Sequence, residues 1–293
     1  MSENGESGMQ RHGKLRIPSP PEPAMAFQPE LTQQFRQLHT HGLLRLANAW
    51  DAGSARLIES LGAPAIATTS AGLAWSQGYA DGDHLPVANL LGTVAAIRRV
   101  IDVPLSIDIE SGYSDDPQAV AALVLQLAEA GVSGINLEDG ATAPESLCTK
   151  IEHIRHACAA AGADIFINAR TDVYLRQLAP ASEQVAATQA RGNRYRDAGA
   201  DGLFVPGLTD SASIGAIAAE VALPLNVMLR PDLPAVAELA ALGVRRLSAG
   251  SSLAESVFDR LQAGALDFLE SSDHAGEDRP PLSYPQINRL FAA

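Results

Sequence analysis

Eight times along this chain a short apolar, β-branched run gives way to an Ala-rich amphipathic stretch, and that alternation is the strongest limit on its fold. The runs are "LLRLANA" (43–49), "PAIATTS" (64–70), "PLSIDIE" (104–110), "GINLED" (134–139), "DIFINAR" (164–170), "GLFVPG" (202–207), "PLNVML" (224–229) and "VRRLSAG" (244–250). Between them lie helical patterns such as "DPQAVAALVLQLAEAG" (116–131) and "SEQVAATQARGNRYRDAGA" (182–200). Several of these end in AGA, AGV or LGV just before the next strand, as a glycine closes a helix ahead of an αβ loop. Eight strand–helix units, spaced by roughly 20–40 residues, match the count and size of a (β/α)₈ barrel, here placed over residues 29–270. A doubly wound open sheet is the competing architecture. No G-x-G-x-x-G follows the first strand, however, and eight units exceed what an open sheet usually needs. Residues 1–28 are polar and Pro-rich and read as a disordered extension, whose Glu3, Glu6 and Glu22 argue against a transit peptide. Residues 271–293, ending in "RPPLSYPQINRLFAA", read as a helical segment beyond the eighth unit, entered through two prolines.

Charge and composition exclude whole classes of function. The 293 residues carry a formal net charge of −13, which argues against nucleic acid and against an anionic membrane surface. An anionic substrate would need a metal or an arginine to offset that field locally. Two cysteines, Cys148 and Cys158, are too few for a disulfide framework or a zinc cluster and suit a reducing cytoplasm. No apolar stretch approaches the ~18 residues of a membrane span, and the N-terminus lacks a signal-peptide core. The expectation is a soluble, cytoplasmic protein.

Active sites of such barrels lie at the C-terminal ends of the strands. Reading those ends alone yields a polar set. Strand 2 ends in Thr69-Ser70-Ala71-Gly72, followed by "GYADGD" with Asp81 and Asp83; strand 3 ends in Asp108 and Glu110. Strand 4 ends in Glu138 and Asp139, strand 5 in Arg170 and Asp172, and strand 7 carries Asn226. Side chains two apart on a strand share a face, and neighbouring strands run ~4.8 Å apart, so Asp108, Glu110 and Glu138 are expected to converge. Carboxylates that close cannot all stay ionised without a cation. An all-oxygen set suits Mg²⁺ or Mn²⁺, with some acids acting through water. Arg170 offers a bidentate fork to a carboxylate substrate, or alternatively pairs with a neighbouring acid. Ser70-Ala71-Gly72 reads either as an oxyanion-binding turn or as an ordinary small-residue turn. Asp115 or Asp116, before Pro117, reads as a helix cap, and Asp51 and Asp139 as similar structural acids. His39, His41, His84, His153 and His156 show no metal spacing. Trp75 and Tyr79 lie near the predicted mouth, and Arg245-Arg246 with Gly250 and Ser251 weakly resembles a barrel phosphate cup.

These pieces, taken in order over most of residues 40–252, resemble the isocitrate lyase/phosphoenolpyruvate mutase superfamily. The residues that carry the resemblance are "LANAWDAGSARLIESLGAPAIATTSAG", "GYADGD", "SIDIESGY", "GINLEDG", "INARTD" and "PLNVM". It implies a (β/α)₈ barrel using Mg²⁺ on 2-oxo acids through a stabilised enolate. Asp108 would bind the metal directly, with Glu110, Glu138 and Asp81 supporting it mostly through water. Ser70-Ala71-Gly72 and Arg170 would hold the substrate, and a homotetramer would swap C-terminal helices, with residues 281–293 able to serve.

The chain departs from that pattern at the lid. The lyases' K-[KR]-C-G-H loop after strand 4 is missing, since "LEDGATAPESLCTKIEHIRHA" runs almost directly into a helix. Cys148 there lacks the flanking Lys, Gly and His and reads as a helix residue. The Asn-Ser segment of the phosphonopyruvate mutases is absent, Gly207 replaces an acid after strand 6, and Ala71 replaces a glycine. Three functions follow: a Mg²⁺-dependent lyase or decarboxylase of a small 2-oxo or 2-hydroxy carboxylate, a phosphonopyruvate-type mutase or hydrolase, and a ligand-binding barrel without chemistry.

Overall fold

The computed structural model describes residues 27–270 and 283–285. Its strands are β1 (Leu44–Leu46), β2 (Asn48–Ala49), β3 (Ile66–Thr68), β4 (Leu105–Asp108), β5 (Gly134–Glu138), β6 (Phe166–Arg170), β7 (Gly202–Phe204), β8 (Leu225–Met228) and β9 (Val244–Ser248). All pairings are parallel, in the order β1-β9-β8-β7-β6-β5-β4-β3-β2. β1 and β2 are one stave interrupted at Ala47: its first part pairs only with β9 and its second only with β3. The expected eight-stave barrel is thus closed around a divided first stave.

Helices alternate with the staves. α1 (Pro29–Leu38) precedes them, and α2 (Ala52–Ser60), α3 (Ser70–Ser76), α4 (Val87–Arg98), α5 (Pro117–Glu129) and α6 (Pro144–Ala161) follow. The ring is completed by α7 (Gln184–Ala198), α8 (Ser211–Glu220), α9 (Val236–Ala241) and α10 (Ser252–Glu270). Local chemistry sets their ends. Asp51 and Ser54 form a reciprocal capping box on α2. Asp116 caps α5 with Pro117 in the first turn, as the sequence predicts. Gly162 and Gly199 close α6 and α7 in the left-handed conformation.

Strand alternation divides the interior in two. Ile107, Ile135, Leu137, Ile167, Leu203 and Val227 face outward and join the aliphatic core under the helices. The alternate positions Asp108, Asn136, Asn168, Asn226 and Arg246 are buried too, and they build a polar lumen. The bottom of the ring is apolar, where Phe35 of α1 packs with Leu44, Leu46, Ala65, Ala67 and Phe166. His39 belongs to this floor, stacked on Phe166 at 4.3 Å with Nδ1 against the Phe35 carbonyl at 2.8 Å. Burial and the nearby Arg246 charge push it down to about 3, so it stays neutral. Arg36 ties α1 to the rim through Asp164 (2.7 Å) and Asp201 (2.6 Å), and Arg155 meets Asp201 from α6.

Phe27 and Gln28, placed in the N-terminal extension by sequence, pack on the body. Phe27 lies against the core, and Arg98 donates to Gln28 Oε1. The rest of that extension and most of the 271–293 segment lie outside the described residues. No described helix is long and apolar enough to cross a membrane.

Two glycines test this packing. A Cβ at Gly134 would stand 2.7 Å from the Phe35 ring and 3.2 Å from the Phe166 carbonyl oxygen, whereas Gly92 on α4 has nothing within 4 Å. Gly134→Ala is therefore expected to lower stability by about 1–3 kcal/mol through overpacking. Gly92→Ala should raise it by about 0.5–1 kcal/mol. Thermal unfolding of the two variants beside the parent checks both signs.

Candidate active site

The acids gather because strand register aligns them. Asp108 on β4 pairs with Asn136 on β5, and Glu138, two residues on, pairs with Arg170 on β6. All point into the lumen near its upper end. Asp108 is fixed from two sides: its Oδ1 accepts from the Glu110 amide (3.1 Å) and its Oδ2 from Asn136 Nδ2 (3.3 Å). Asn136 cannot flip, since its Oδ1 accepts from Asn168 Nδ2 (2.9 Å) and Arg246 Nη2 (3.3 Å). Burial raises the Asp108 carboxyl above the ordinary range, while Arg170 pulls it back.

Glu110 sits in a strained turn. Its own φ is +52°, and Gly112 (+95°) and Tyr113 (+57°) follow in the same left-handed region. Gly112 is the one a side chain could not replace, because a Cβ there would stand 2.8 Å from Val120. The turn swings the Glu110 carboxylate back over the "GYADGD" loop, where Oε2 accepts from the amides of Gly82 (2.8 Å) and Asp83. Its Oε1 is buried without a hydrogen-bond partner among the described residues. Burial, and then the charges of Asp81, Asp83 and Asp108, push this carboxyl up to about 8.

Glu138 and Arg170 form a buried ion pair, Nη1 to Oε2 at 2.6 Å. Burial drives the Glu138 carboxyl upward against the pull of Arg170, with Asp172, Asp108 and Asp81 adding to the rise. Arg170 also grips the fully buried Asp172 with two nitrogens, at 2.7 and 3.1 Å. Both sequence readings of Arg170 therefore meet here: it is paired with acids, yet it stands at the mouth.

The remaining predicted residues fall as follows. Ser70, Ala71 and Gly72 are the first turn of α3, not a free turn, and a Cβ on Gly72 would stand 2.8 Å from the Thr69 methyl. Asp81 accepts from the Tyr284 hydroxyl, and the Tyr284 ring lies 5.4 Å from that of the buried Trp75. Asn226 is buried beside Ser248, whose Oγ donates to its Oδ1 at 3.2 Å. Arg246 does not line a phosphate cup: it lies inside the ring, wholly buried, because an even step from Ser248 turns it inward. Cys148 sits on α6, partly buried, and burial pushes its thiol up. α6 starts at Pro144, six residues past Glu138.

Asn136, Asn168, Arg191 and Tyr195 escaped the sequence reading. Arg191 Nη1 and the Tyr195 hydroxyl both reach Asp139 Oδ2 at 2.6 Å, and the other Asp139 oxygen accepts from the Asp172 amide at 2.9 Å. Asp139 is thus a structural acid, bracing the Asp172 backbone rather than capping a helix. Alternation from Glu138 would have found Asn136; nothing in the α7 pattern marks Tyr195.

The donor set fits a hard dication. It offers carboxylate oxygens alone, the charges of Asp81, Asp83 and Asp108 raise the proton affinity of Glu110, and one buried oxygen of Glu110 lacks a hydrogen-bond partner among the described residues. Among the described residues no three such side chains stand close enough to grip an ion directly. Mg²⁺ takes one or two carboxylates and keeps several waters. A carboxyl raised to about 8 keeps a proton that the unfolded chain, titrating near 4.5, has already released. The stability it contributes is full below about pH 4.5 and fades as pH rises through about 8. The metal-free protein should melt at lower temperature at pH 8.5 than at pH 5.5, and Mg²⁺ should restore most of the difference at pH 8.5. Scanning calorimetry at both pH values, with and without Mg²⁺, measures this.

Comparison with known proteins identifies the family. Residues 35–269 match the family model of phosphoenolpyruvate phosphomutase. A Mycobacterium tuberculosis protein of uncharacterized activity is 39% identical over 223 residues, 74% of this chain and 81% of its own. The 2-methylisocitrate lyase of Escherichia coli is 29% identical over 218 residues, 69% of this chain and 68% of its own. A Burkholderia cenocepacia crystal structure, provisionally named a phosphonomutase, superposes with a TM-score of 0.76 at 40% identity, covering 80% of this chain and 99% of that one. The chain belongs to the phosphoenolpyruvate phosphomutase family.

Proposed function

We propose that this protein is a Mg²⁺- or Mn²⁺-dependent lyase that cleaves a C–C bond, or decarboxylates, a small 2-oxo or 2-hydroxy carboxylate through an enolate. The observation that carries the reading is the cluster of buried Asp108 and Glu110 with the largely buried Glu138 beside Arg170, which is costly for a protein to maintain unless a cation and an anion are to be met there. Asp108 would hold the dication directly, and Glu110, Glu138 and Asp81 through water. When bound, such an ion withdraws negative charge from the 2-oxo-carboxylate head as it develops.

The chain's own groups do the positioning. Asn136 and the Glu110 amide hold the Asp108 carboxylate in one plane. Asp172 and Glu138 fix the Arg170 guanidinium so that its remaining N–H groups can meet an incoming carboxylate without reorganisation. The Glu110 contact with the amides of Gly82 and Asp83 draws the 81–83 loop over the acids and narrows access for water. The 29% identity to a 2-methylisocitrate lyase supports C–C cleavage. The phosphonomutase name of the 40% identical structure supports a second reading, P–C bond chemistry on a phosphonate.

A homotetramer belongs to the same proposal, supported by Leu253, Val257 and Leu261, which recur every four residues along α10 and are exposed in the single chain. Sedimentation velocity tests it. The chemistry is tested with a panel of malate-, oxaloacetate- and methylisocitrate-like acids, with phosphonopyruvate followed by phosphorus NMR. Metal-dependent turnover of a carboxylate is expected, and Asp108→Asn should lower it by at least about 10²–10³-fold. Turnover of phosphonopyruvate alone would favour the second reading; turnover of nothing in the panel would refute both.

A further inference from the structure

A second guanidinium stands beside Arg170, and the proposed function leaves it without a task. Past the end of β6 the chain makes one tight turn, in which the Arg176 amide donates to the Asp172 carbonyl at 2.8 Å and the Leu178 amide to that of Val173 at 3.0 Å. The turn brings Arg176 back over Asp172, and its Nε donates to Asp172 Oδ2 at 2.8 Å. That same oxygen accepts from Arg170 Nη2 at 3.1 Å. One fully buried carboxylate therefore clasps two guanidinium groups side by side. The inner one, Arg170, is 14% exposed, and the outer one, Arg176, is 51% exposed.

The turn is seated by a glycine. Gly207, just past β7, has φ +85°, and a Cβ on it would stand 3.2 Å from both N and Cα of Leu175. That close approach leaves no room for a side chain at position 207 against the turn. The two arginines nevertheless differ in use. Arg170 is engaged by Glu138 and by both oxygens of Asp172. Arg176 is held only through Nε, and among the described residues its two terminal nitrogens meet no acceptor. An exposed i,i+4 ion pair adds little to stability, so stability alone gives no reason to park a fork here. In a chain of net charge −13, a preoriented and half-free guanidinium at the rim of an acidic mouth is a place for an anion.

We propose that Arg176 is a specificity-determining residue: it takes the distal carboxylate of a dicarboxylate substrate whose 2-oxo-carboxylate head lies between Asp108 and Arg170. This rests on the lyase reading and deepens it by naming a short dicarboxylic acid as the substrate class. Asp172 sets the spacing, because it holds both cations at once. A monocarboxylate would leave Arg176 empty.

The test uses two probes that share a metal-chelating head, oxalate and 3,3-difluorooxaloacetate; only the second carries a distal carboxylate beyond that head. Both are titrated calorimetrically into the full chain with saturating Mg²⁺, in wild type, Arg176→Met and Arg176→Lys. Arg176 is exposed, so the variants are expected to fold, and their melting temperatures are recorded alongside. Arg176→Met should weaken the difluoro acid by about tenfold or more, as for loss of a charge-assisted carboxylate contact, while oxalate stays within about twofold. Arg176→Lys should recover part of the loss, keeping the charge without the fork. Equal loss of both probes with a lower melting temperature would mark Arg176 as structural, and unchanged binding of both would make it idle; either overturns this inference alone. A wild-type protein that binds neither probe would instead remove the lyase reading beneath it.

Discussion

Burying like charges is the constraint around which the rest of this barrel is arranged. Asp108 and Glu110 are buried and Glu138 is nearly so; burial raises all three carboxyls, and the Asp108 charge adds to the rise at both Glu110 and Glu138. A lumen filled with aliphatic side chains would make that arrangement prohibitive. The lumen here carries Asn136, Asn168, Asn226, Ser248 and Arg246 beneath the acids, and the aliphatic core is moved outside the ring. Strand alternation alone achieves the separation: each stave turns its branched residues to the helices and its amides and charges inward. Polar satisfaction then hardens the site, because an amide whose oxygen already accepts from a guanidinium can only donate toward Asp108.

Much of this was legible in the sequence, for definite reasons. The eight runs have the length and spacing of barrel staves, and the site acids stand at their ends, where the fold puts catalytic groups. Parity was enough to place Asp108 and Glu138 on the inner face. Parity also would have placed Asn136 and Arg246 there, but a charged residue beside a Gly-Ser turn invites a phosphate-site reading. What no local pattern carries is partnership. Arg170 meets Glu138 because β5 and β6 pair in that register, and Asp139 meets Tyr195 because α7 lies across the end of β5. His39 carried no signal beyond the absence of metal spacing; only the closure of α1 under the ring puts it on Phe166. The interruption at Ala47 likewise arises from the two neighbours that the first stave must serve.

Glu110 illustrates how the fold stores cost where a side chain must be aimed. An L residue in the left-handed region loses of order 1–3 kcal/mol. The turn adds Tyr113 in the same state and allows only glycine between them at position 112. What is gained is direction. An ordinary strand end would leave Glu110 beside Asp108, whereas the reversed backbone hands its carboxylate two amides on the 81–83 loop and leaves its other oxygen buried without a hydrogen bond among the described residues.

The divided first stave has a consequence for how the molecule is made. Leu44 has a single lateral neighbour, Arg246, about 200 residues further along, so nothing near it in sequence can complete its hydrogen bonding. At ribosomal rates of about 5–20 residues per second, that edge waits on the order of ten seconds or longer for its mate. Until β9 has been made β1 has no strand to pair with, so vectorial synthesis cannot complete the cylinder before its last stave.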